Sequence, residues 1–251
     1  ISQGSGGGAI VSVIARAIGA GRVQDASDLA WHTIAIAIVL GLATTLIVLI
    51  FGPSYYSAMG ADGPVLDVAV TYSALVFGGA TLIWIFNLLL AVVRGTGNLA
   101  LPVKVVCGGA ILLVPLSPAL IFGVGSLPGF GVAGGAIALL LYYGLGGIAF
   151  AWSIWGKGGG IDLSRRPPKF ELRQALQILR LGGMSALVSS STNLTIAIMT
   201  GLVATPGLAA VAGYGAGARL EILLVPISYG TAGPAAILIS TNLGAGQAQR
   251  A

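Results

Sequence analysis

The chain has 251 residues, of which 56% are apolar and 8% charged, against about 25% charged residues in an ordinary globular chain. With a mean hydropathy of +0.98, so few polar groups cannot clothe a soluble domain, and the expected fold class is all-α: a polytopic protein whose solvent is the lipid bilayer. The formal charge of +5 comes from basic residues scattered between apolar runs, which argues against a nucleic-acid partner. A lone Cys107 excludes an internal disulfide framework and a multi-thiolate metal centre. With one His and carboxylates mostly in loops, no catalytic triad or metal cluster is expected, so the chain reads as a non-enzyme without cofactor.

In chain order, Gly6 to Ala15 reads as the tail of a helix. Apolar runs follow at Ile34 to Phe51, Val68 to Val93, Val103 to Val124, Val132 to Trp155, Leu181 to Ala204 and Ala209 to Leu243. Each approaches or exceeds the roughly 20 residues a helix needs to cross the hydrocarbon core, and the last is long enough to predict tilt or bending at Pro226 and Pro234. The sum is about seven spans, the first incomplete, in a chain that reads as the middle of a longer protein. His32 beside Trp31 reads as an interfacial anchor at a helix start.

Every Lys and Arg except Arg219 falls in alternate loops, while the intervening loops carry Asp62 and Asp67 but no basic residue. Positive-inside bias then places the basic loops in the cytoplasm of a multi-pass protein of the cell (inner) membrane. Residues 156–177 stand apart, with three consecutive glycines, Arg165-Arg166-Pro167-Pro168 and a polar helical start. They read as a cytoplasmic linker between an N-terminal lobe, residues 1–155, and the start of a second lobe, residues 178–251; an ordinary loop with a surface helix is the other reading.

One segment recurs. Gly19-Ala20-Gly21-Arg22-Val23-Gln24-Asp25-Ala26 matches Gly244-Ala245-Gly246-Gln247-Ala248-Gln249-Arg250-Ala251, and the same offset aligns Gly8 with Gly233 and Ile14 with Ile239. Six spans lie between the copies, and an even number returns the chain to the same side. The copies are therefore expected to be parallel repeats about an axis along the membrane normal, an arrangement of secondary transporters.

Three sets of polar residues inside apolar runs are candidates for chemistry. Arg219 and Glu221 cost at least about 2.5 kcal/mol each in hydrocarbon, so they need partners or water; the alternative is a place at the outer interface. Thr192 and Asn193, in the run from Ser189 to Thr195, either line a polar cavity or join helices through hydrogen bonds. Asn87 with Trp84 either meets a cationic aromatic substrate or bonds to a neighbouring helix. Gly95-Thr96-Gly97 lacks the preceding strand and the later acidic residue of a dinucleotide site, so nucleotide binding is rejected.

At the paired Gly-Ala-Gly segments the sequence resembles the multidrug and toxic compound extrusion family, whose halves each carry such a segment after their second span. Arg94-Gly95-Thr96-Gly97-Asn98 followed by Pro102 resembles the family's loop after its fourth span, Gly131 to Ala138 the opening of its sixth, and Arg219, Glu221 and Pro226 its eighth. The resemblance covers roughly spans two to eight of a two-lobe, twelve-helix fold. It implies a monomeric antiporter that exports amphipathic or cationic small molecules by alternating access, in exchange for protons or sodium ions. Where the family often carries Asn, three residues, then Asp-Pro around a coupling-ion pocket, this chain has Leu113-Val114-Pro115-Leu116-Ser117-Pro118, which leaves the Ser117 hydroxyl as the candidate there. The rival readings are a flippase for lipid-linked saccharides and a non-transporting membrane scaffold.

Overall fold

A computed structural model describes residues 7–58, 63–125, 127–156, 163, 164, 168, 171–204, 213, 214, 217 and 230–251. The helices are α1 (Gly7–Gly19), α2 (Val23–Ala58), α3 (Gly63–Gly78), α4 (Ala80–Gly95), α5 (Ala100–Phe122), α6 (Val132–Trp155) and α7 (Leu172–Ala204), followed by α8 over residues 230–244. A two-residue hairpin pairs β1 (Gly123–Val124) with β2 (Leu127–Pro128) and turns the chain from α5 into α6.

Helices dominate because in lipid each backbone N–H and C=O must be satisfied within its own segment. α2, α5 and α6 are each long and apolar enough to span a bilayer. The outer surface confirms the solvent: Ile111, Val114 and Phe122 of α5 are more than two-thirds exposed, and no residue of that helix's most apolar window is buried. In water such a surface would aggregate; against acyl chains it costs nothing. Pro115 and Pro118 lie inside α5 without ending it, and Pro53 lies inside α2.

The expected span Val68 to Val93 is two helices, α3 and α4, bent by 48°. The break falls at Gly78 and Gly79, where the Thr45 hydroxyl of α2 donates to the Phe77 carbonyl and so satisfies an acceptor next to the break. A methyl at Gly79 would press into the Leu140 side chain, so the bend lets α6 approach.

α1, α2, α4 and α6 enclose the core. Phe86 sits at its centre, with ring centroids 5.3 Å from Phe150 and 5.1 Å from Tyr143, and Gly146 leaves the room its ring occupies. Ile10 and Ile14 of α1 and Leu89, Val92 and Val93 of α4 complete it, joined by Ala175 and Ile178 of α7.

Two boundaries differ from expectation. α7 starts at Leu172, so the polar stretch read as linker is continuous with the next span. α2 starts at Val23, so its first turns carry Asp25, Ser27, Asp28 and His32. His32 is therefore no interfacial anchor: it is 2% exposed, one turn past Asp28, whose carbonyl its Nδ1–H meets at 2.6 Å. Its Nε2 accepts from the Glu171 backbone N–H at 2.8 Å. The Ser164 carbonyl accepts from Ser27 Oγ at 3.2 Å and Trp31 Nε1 at 3.1 Å, and the Trp31 ring lies 4.8 Å from that of Trp155. Ser164 and Glu171 are thus stitched to the start of α2, because polar side chains there find backbone partners that hydrocarbon would not offer.

Candidate functional site

A cavity of about 390 Å³ opens between α3, α5 and α6. Its lining includes Tyr72, Leu113, Ser117, Ile121, Val132, Gly135 and Leu139. α5 brings Leu113 and Ser117 to it four residues apart, one turn along the same face, and Gly135 keeps the α6 wall thin. The close approach behind it is set by Gly134, where a methyl would enter the Leu120 carbonyl. Among the described residues, the two hydroxyls of Tyr72 and Ser117 are the polar side-chain groups of an otherwise apolar lining, which holds no carboxylate and no cation. Such a site takes an apolar or aromatic body and gives it one or two hydrogen bonds for orientation. A second groove of about 260 Å³ between α5 and α6 has Lys104 and Tyr142 on its lining.

Of the candidates read from the sequence, Ser117 lies on the cavity. Asn87 does not: it is 3% exposed in the helix-packed interior, and its Nδ2 donates to Ile83 of its own helix at 2.8 Å. Its Oδ1 has no hydrogen-bond partner among the described residues. The expected bond to a neighbouring helix is made instead by Trp84, whose Nε1 donates to Thr44 of α2 at 3.1 Å. Thr192 and Asn193 lie within α7, but their side chains are outside the described residues, as are Arg219 and Glu221 altogether. Arg94 and Gly95 end α4 and Gly97 follows at φ +84°; a methyl at Gly95 would meet the Ile14 side chain of α1. Sequence reasoning passed over Tyr72. Its one signal was a hydroxyl inside an apolar run, which by itself does not say which face it shares.

The repeated segments come together. α1 and α8 end in the same motif: Ala20, Gly21 and Arg22 donate to Arg16, Ile18 and Ala17, and Ala245, Gly246 and Gln247 donate to Thr241, Leu243 and Asn242, position for position. Gly21 and Gly246 adopt φ +72° and +74°, the left-handed conformation such a cap requires and glycine takes without strain. The correspondence extends past the helix. Arg22 pairs with Asp25 at 3.1 Å, and at the matching positions Arg250 donates to Gln247 at 3.3 Å. The contacts between the helices are reciprocal too: a methyl at Gly19 would strike the Thr241 carbonyl, and one at Gly244 would strike the Arg16 carbonyl. Arg16 and Thr241 are themselves an equivalent pair, so each copy touches the other as it is touched. That is the signature of a two-fold axis, and since both helices end on the basic-loop side it runs along the membrane normal.

The MatE family pattern matches residues 4–119, and a solved structure described as a MATE P26A mutant superposes with TM-score 0.86 at 27% identity, over 99% of this chain and 56% of that one. The chain is similar to the multidrug and toxic compound extrusion (MatE) family. Similar curated MatE-like relatives are a FAD transporter of Shewanella oneidensis, 28% identical over 100% of this chain and 55% of the relative, and a probable multidrug resistance protein NorM of Thermotoga maritima, 26% identical over 86% and 47%. The chain spans about half the length of these relatives. Similarity to a family of membrane transporters agrees with the apolar exterior and the paired repeats, and among the described residues Leu113 and Ser117 line a cavity without an acidic group.

Proposed function

We propose that the full protein is a secondary active exporter of amphipathic or cationic small molecules, driven by exchange for protons or sodium ions through alternating access, with its basic loops in the cytoplasm. The observation that carries this reading is the reciprocal contact of α1 and α8 about an axis along the membrane normal: two equivalent units meeting on such an axis can tilt against each other and expose a site to either side in turn. The cavity beside α5 supplies an apolar seat with the Tyr72 and Ser117 hydroxyls for orientation. With no carboxylate on that lining, coupling falls to an acidic group elsewhere, and Glu221 in its apolar run is the candidate. The protein acts as a monomer in the bilayer and needs no cofactor besides the transported ion.

A second reading takes an anionic aromatic cargo such as a flavin dinucleotide. It is favoured by the similarity to the Shewanella FAD transporter along this whole chain and by an N-lobe cavity with no negative charge to repel phosphates. The two separate in one experiment. Full-length protein in proteoliposomes is loaded in turn with a fluorescent cationic dye and with FAD, and efflux is followed under proton and sodium gradients. Gradient-driven dye efflux is expected. FAD efflux without dye efflux moves the assignment to the second reading, and movement of neither cargo under either gradient overturns both.

A further inference from the structure

Positions 8, 12, 15 and 19 of α1 lie on one face of the helix, as do their equivalents 233, 237, 240 and 244 of α8. These faces meet over only part of their length. Toward the basic-loop end they are closed: Gly19 and Gly244 bring backbone against backbone, Ser12 Oγ lies 3.2 Å from Ser240 Oγ, and Ala15 and Ile237 are buried at the reciprocal positions. One turn further, Gly8 and Gly233 are on the same faces, yet among the described residues a methyl on either would meet nothing within 4 Å. Two helices that touch at one end and part at the other form a wedge. Against the described residues, glycine at the open end has no packing role in this arrangement; it has one if the faces also close there, since only a residue without a side chain permits backbone contact.

From this pattern we infer that the α1–α8 face is a two-ended seam, zipped at Gly19 and Gly244 in this state and at Gly8 and Gly233 in the opposite one. The seam shuts the basic-loop side here. Tilting about the two-fold axis opens that end and brings Gly8 and Gly233 together, so each end of the face carries one symmetric glycine pair and the two are closed alternately. The inference deepens the transport reading and rests on it: Gly8, Gly19, Gly233 and Gly244 act as positioning residues, setting how closely each gate seals without touching cargo.

The test uses the full chain in proteoliposomes with Cys107, an exposed residue of α5, replaced by Ser. Ser12→Cys with Ser240→Cys is expected to form a disulfide readily, to lower transport more than tenfold when oxidised and to regain it on reduction. Adding Gly19→Ala and Gly244→Ala is expected to lower the disulfide yield severalfold. Gly8→Leu with Gly233→Leu is expected to leave that yield unchanged or raise it while transport falls by a similar factor. Transport by the oxidised protein at the reduced rate overturns the seam, as does undiminished disulfide formation in the Gly19→Ala, Gly244→Ala protein. If that variant does not fold, oxidation of the pair with native glycines decides alone. Should the reduced protein move no cargo, the transport reading fails, while the disulfide yields with and without the two alanines still decide whether the basic-side end is zipped as described.

Discussion

Replacing His32 by Ala is expected to destabilise the protein by about 2–4 kcal/mol. The ring is buried, and it ends two hydrogen bonds, one to the Asp28 carbonyl at 2.6 Å and one from the Glu171 N–H at 2.8 Å. Asp28 C=O keeps the helical bond that its position allows, so its loss is small. Glu171 N–H precedes the first turn of α7, and losing the His32 acceptor from this part-buried bond costs about 1 kcal/mol. The space left by the ring adds about 1 kcal/mol or more, depending on how far Trp31 and Leu163 relax into it. At roughly 2 °C per kcal/mol for a large chain, the midpoint of thermal unfolding in detergent should fall by about 4–8 °C. His32→Gln, which keeps an acceptor, should recover part of the loss. The assay is fluorescence-monitored unfolding of the purified protein, with Cys107→Ser as a control that leaves the midpoint within a degree or so. A His32→Ala midpoint equal to the parent's would refute the reasoning, since it would mean that the stitch between α2 and the start of α7 contributes nothing.

Other substitutions probe the cavity and the coupling. Gly134→Ala forces α6 away from the Leu120 carbonyl, and overpacking against backbone costs about 1–3 kcal/mol; an unchanged unfolding midpoint would contradict the close approach of α5 and α6. Ser117→Asp places a carboxylate on the cavity, so cationic-dye binding should strengthen severalfold and weaken again as acidification neutralises the carboxylate; a pH-independent affinity equal to the parent's would remove Ser117 from the binding surface. Glu221→Gln should reduce gradient-driven efflux more than tenfold with normal insertion and folding, and full transport by that variant would end the coupling role proposed for it.

Much of the architecture was legible because lipid makes the code linear. A span must be apolar over about 20 residues wherever it packs, so hydropathy located α2, α5 and α6. The repeat was legible for a related reason: the cap after α1 and α8 needs glycine at a left-handed position, and that need writes Gly-Ala-Gly twice. The start of α2 was not legible. Asp25, Ser27, Asp28 and His32 break the apolar run, yet they are helical, and Ser27, Trp31 and His32 meet Ser164 and Glu171 there in place of acyl chains. The bend at Gly79 was hidden likewise, since a Gly-Gly pair in an apolar run kinks only where a neighbour such as Thr45 takes up the backbone acceptor beside it.

The sequence by itself determined the solvent, the class of fold and the repeated Gly-Ala-Gly cap, all of which depend on composition and on local backbone chemistry. Tertiary structure decided which polar groups meet. It put Ser117 on a cavity and Asn87 inside the packed core, though both are single polar residues in apolar runs, because the face a helix turns to its neighbour depends on what that neighbour presents. It also decided that the two copies touch at Gly19 and Gly244 and part at Gly8 and Gly233: the repeat makes the two ends of the seam equally glycine-lined, and only the tilt of one helix against the other selects the end that closes.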